Sequence, residues 1–188
     1  MSNDGPNILQ LFQQTRKICE DVALLLRTQE EQMSSKGWET DRSTAVCDSS
    51  SSIHNPWGWI PINAFRFYVN DKHPNVLAFI SVLLDDHWDN LYSIKEPIIT
   101  AGFFDYGNKK WDTFDYSFSR VYGYLFKKHN WEPNGELFSF DRSMLSSNHR
   151  GDFINGKVFA LPLVSIKNEK QIETKITDKL LRFVDTKV

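Results

Sequence analysis

The sequence predicts an α+β fold: an antiparallel sheet of about five strands with a long N-terminal helix and a C-terminal helix packed on it. Three observations lead there. Apolar residues recur at helical spacing near both ends of the chain, the middle breaks into short runs rich in β-branched and aromatic residues, and turn formers separate those runs. That order favours helices gathered on one face of an antiparallel sheet. No internal repeat and no linker divides the 188 residues, so residues 1–188 read as one domain, with a helix over 1–36, a sheet region over 38–168 and a second helix over 169–188.

The N-terminal helix rests on a stripe. Ile8, Phe12, Thr15, Cys19, Val22, Leu26, Gln29 and Met33 follow one another in alternating steps of four and three, and Leu9, Ala23 and Leu25 widen the line. Asn3 or Asp4 suits the cap, Pro6 the first turn and Gly37 the stop. Such a stripe marks a helix that packs on a core or on a second subunit. The last turns, Thr28 to Lys36, are polar all round and are expected to project beyond the sheet or to meet a second subunit.

The strands follow from alternation and punctuation. Trp38 to Cys47 alternates weakly and predicts a first strand, ended by the serine run up to Ser52. Two prolines and a glycine keep Pro56 to Pro61 out of regular structure. Phe65, Phe67 and Val69 alternate with Arg66, Tyr68 and Asn70, and Asp71 to Asn75 then turns the chain into Val76–Leu84. That nearly continuous apolar run suits a central strand covered on both faces. Pro97 to Tyr106 predicts the next strand, Glu136 to Phe140 a short one, and Lys157 to Ile166 another, which Pro162 places at an edge or a bulge. Trp111 to Phe126 fits a strand or a helix equally well. Ile172, Ile176, Leu180 and Phe183 end the chain in an amphipathic helix.

Composition narrows the classes of function. A formal charge of −2 provides no overall positive field of the kind a general binder of nucleic acid or anionic lipid carries, so no nucleic-acid partner is expected, although Lys109-Lys110 and Lys127-Lys128-His129 flank the aromatic segment. No apolar run approaches the roughly 20 residues of a membrane-spanning helix. The N-terminus shows neither part of a secretory signal, and two cysteines make no disulfide framework, so a cytoplasmic protein is expected.

No nucleotide-binding glycine pattern, nucleophile elbow or His-Glu-x-x-His zinc motif occurs. The most chemically suggestive cluster is Asp85, Asp86, His87 and Asp89, which at the end of a central strand offers oxygen and imidazole ligands for a divalent metal. With Asp105 across the sheet it would suit a metal-assisted hydrolase or nuclease. A solvated turn uses the same residues to bond its own backbone. Trp57 and Trp59, in a loop bounded by prolines, and Trp111 and Tyr122, in the aromatic segment, are the candidate ligand-binding residues, because large amphipathic rings suit binding surfaces as well as cores. The leading expectation is a non-enzymatic binding or regulatory domain that recognises a protein partner or small ligand, with homodimerisation through the N-terminal helix. The sequence names no cofactor.

Overall fold

The structure is a computed structural model that describes residues 5–41, 53–54, 59–85, 94–108, 132–144 and 153–186. One helix, α1 (Gly5–Ser35), precedes a sheet of six strands: β1 (Glu39–Thr40), β2 (Asn63–Val69), β3 (Val76–Leu83), β4 (Ile98–Asp105), β5 (Phe138–Asp141) and β6 (Asn155–Pro162). They lie in the order β1-β2-β3-β4-β6-β5, and every neighbouring pair is antiparallel. The sequence expectation of an α+β fold holds, with one strand more than the five counted.

The β2–β3 hairpin forms where the turn residues place it. Asn70 accepts from the Lys72 backbone through its side chain and from His73 through its carbonyl, an Asx-type turn. Beyond it β3 and β4 are buried along their whole length, as the continuous apolar runs anticipate. Residue parity divides the core. Ala78, Ile80 and Val82 on β3 face the helices, together with Ile99, Ala101 and Phe103 on β4. The other face collects phenylalanines, among them Phe67, Phe79, Phe104, Phe140 and Phe153, whose rings meet at centroid distances of 5.0–6.3 Å. Much of the aromatic content is therefore core.

Pro162 corrects an expectation. The strand β6 is internal, between β4 and β5, yet β5 reaches only as far as Val158, so residues 159–162 pair with β4 alone. The missing N–H of Pro162 costs no ladder bond on that open side. Beside it, the Gly135 N–H caps the Ala160 carbonyl at 2.7 Å.

The C-terminal helix is built from α2 (Glu169–Ile172), a π turn (Glu173–Thr177) and α3 (Asp178–Asp185). Its buried residues explain the π turn. Ile172, Ile176, Leu180 and Val184 repeat every four positions, and on a regular α-helix each such step overshoots a full turn by about 40°. One wide turn absorbs that drift and returns all four to the sheet. The Asn168 side chain caps the start by accepting from the Gln171 N–H at 3.0 Å.

Candidate functional site

The stripe on α1 is continuous in sequence, but the structure divides it. Val22, Leu25, Leu26, Gln29 and Met33 are buried against the sheet and the C-terminal helix, whereas none of the described residues before Val22 is buried. Gly5 to Asp21, about 25 Å long at 1.5 Å per residue, thus extends without burying a side chain, although Ile18 to Asp21 still border the body of the fold. The expectation that Thr28 to Lys36 would project is reversed: that end docks, and the other end extends.

Polar contacts explain the reversal. Thr177, drawn inward by the π turn, places its hydroxyl 3.1 Å from Gln29 and 2.6 Å from Gln32, so the buried stripe residue Gln29 and the half-buried Gln32 both meet the C-terminal helix through a polar contact. Glu30 meets Arg66 of β2 at 3.2 Å, with Arg66 only 13% exposed. The helix then stops at Gly37, whose φ of 80° allows the Trp38 N–H to bond Met33 and the Gly37 N–H to bond Ser34. Trp38 and Met33 are both buried, completing the apolar contact of a Schellman cap.

The projecting half carries Ile8, Leu9, Leu11, Phe12 and Ile18, which are 48–65% exposed. Exposed apolar side chains grouped along one stretch of helix mark an interaction surface more often than a scatter of single residues does. Two grooves flank the point where α1 meets the sheet. One of about 620 Å³ runs between Ile18, Asp21 and Leu25 on α1 and Leu163, Ile166 and Ile172. The other, about 500 Å³, lies between Cys19, Glu20 and Ala23 on one side and Pro61, Ala64 and Leu84 on the other. Both are lined mainly by apolar surface that continues the stripe.

The residues singled out from the sequence are distributed differently. Trp59 is 58% exposed, beside exposed Ile60, in keeping with an indole that a proline-bounded loop holds at the surface. Trp57, Trp111 and Tyr122 lie outside the described residues, as do Asp86, His87 and Asp89. Asp85 is exposed just after β3. Asp105 is at the far end: it pairs with Val76, nine positions from Asp85 along β3, a separation of roughly 30 Å. The two carboxylates cannot share one ion. Asp105 instead accepts from the Gly107 N–H at 2.7 Å, a local role in the turn after β4. Among the described residues no three His, Cys, Asp or Glu side chains gather as metal ligands, and no helix is long and apolar enough to cross a membrane.

The projecting end of α1 was missed because a helical stripe reports which face is apolar and not which part of it finds a partner. The signal lay in the C-terminal helix, where the four-residue repeat places Thr177 beside Ile176. No protein-family model, curated protein or solved structure matches the chain.

Proposed function

We propose that this chain is a protein-binding domain that acts as a docking module, with the projecting half of α1 as its recognition element. The observation that carries this reading is the set of exposed apolar side chains from Ile8 to Ile18, continuous with the stripe that Val22 to Met33 bury in the same molecule. A helix offering apolar residues at spacings of three and four is one of the recurring modes of protein recognition, in which its face enters an apolar groove or another helix. The rest of the fold holds that helix rigidly: the Gln29–Thr177 contact, the Glu30–Arg66 pair and the cap at Gly37 all fix its base.

The test is recovery of binding proteins from native extract with three full-length chains: wild type, Ile8→Asp/Phe12→Asp, and Lys72→Glu as a control in the distant β2–β3 turn. Proteins retained by the wild type and the control but lost with the stripe variant support the reading. Equal recovery by all three chains overturns it.

A further inference from the structure

We draw no further inference here: the strongest candidate, the apolar groove of about 500 Å³ between α1 and β2 with Glu20, Arg27 and Arg66 among its lining residues, carries nothing, because Arg66 is already paired with Glu30 and nothing in the structure shows what covers the groove.

Discussion

The Thr177 hydroxyl lies between two side-chain oxygens, 3.1 Å from Gln29 Oε1 and 2.6 Å from Gln32 Oε1, on the buried side of the C-terminal helix. A single hydroxyl proton serves one acceptor. With the Gln29 amide turned so that its nitrogen faces Thr177, that nitrogen donates to the hydroxyl and the hydroxyl donates to Gln32. This orientation also gives a partner to a Gln29 nitrogen that otherwise has none among the described residues. Thr177→Val keeps the shape but removes the hinge of this chain, and should cost about 1–3 kcal/mol in chemical denaturation. Adding Gln29→Leu should recover part of that loss, because it removes the amide left unpaired; a fully additive double variant would refute the coupling.

The two halves of α1 should respond oppositely to truncation. Leu26 is 3% exposed in the core and Phe12 is 65% exposed on the same stripe. Leu26→Ala should destabilise by about 2–5 kcal/mol through lost burial and the cavity left behind. Phe12→Ala should stay within about 0.5 kcal/mol. Both values belong to denaturation at protein concentrations low enough for the monomer, since association adds stability by mass action.

Gly102 makes room for the phenylalanine face. A β-carbon there would meet the Lys157 carbonyl oxygen of β6 and come within 2.9 Å of the Phe79 ring. One of those contacts is backbone in a paired strand, so neither side yields easily. Gly102→Ala should cost about 3 kcal/mol or prevent folding, read as a lowered denaturation midpoint or as loss of soluble protein. A neutral result would mean that β4 and β6 separate more readily than their register suggests.

Burial pushes the Tyr68 phenol far above its ordinary value of 10.0, and the Glu30 carboxylate adds to the shift while Arg66 opposes it. In the folded state Tyr68 thus keeps its proton where the unfolded chain releases it. The unfolded state binds fewer protons above about pH 10, so stability present below that pH is lost as pH rises beyond it. Tyr68→Phe should flatten this alkaline decline. Near neutral pH the variant should be as stable as the wild type or slightly more so, since the buried hydroxyl has no hydrogen-bond partner among the described residues. Urea titrations across the alkaline range would read both effects.

Lys179 joins two parts of the open side of β6. Its ammonium donates to the Gly135 carbonyl and lies 4.6 Å from the centre of the Phe159 ring. Burial lowers its pKa, with nearby Arg182 adding to the effect. Lys179→Met keeps the stem and removes the charge, and should cost about 1 kcal/mol. Faster amide exchange at Gly135, which caps Ala160, would accompany that loss.

Much of the architecture was legible in the sequence because it depends on periodicity and turn chemistry. The alternation in Phe65 to Val69, the unbroken run from Val76 and the turn formers between them specify a hairpin and a doubly covered strand without reference to anything distant. The stripe from Ile8 to Met33 likewise specifies one long helix with one apolar face. What the sequence left undecided was which half of that face meets the sheet. That outcome depends on contacts between residues nearly 150 positions apart: a π turn rotates Thr177 toward Gln29 and Gln32, and Arg66 reaches Glu30. Local propensity cannot report such pairings, because a glutamine on a helix is polar by itself and becomes a core residue only when another element brings it a partner. The same physics leaves Ile8, Phe12 and Ile18 in solvent, and so gives the molecule the surface on which its proposed function rests.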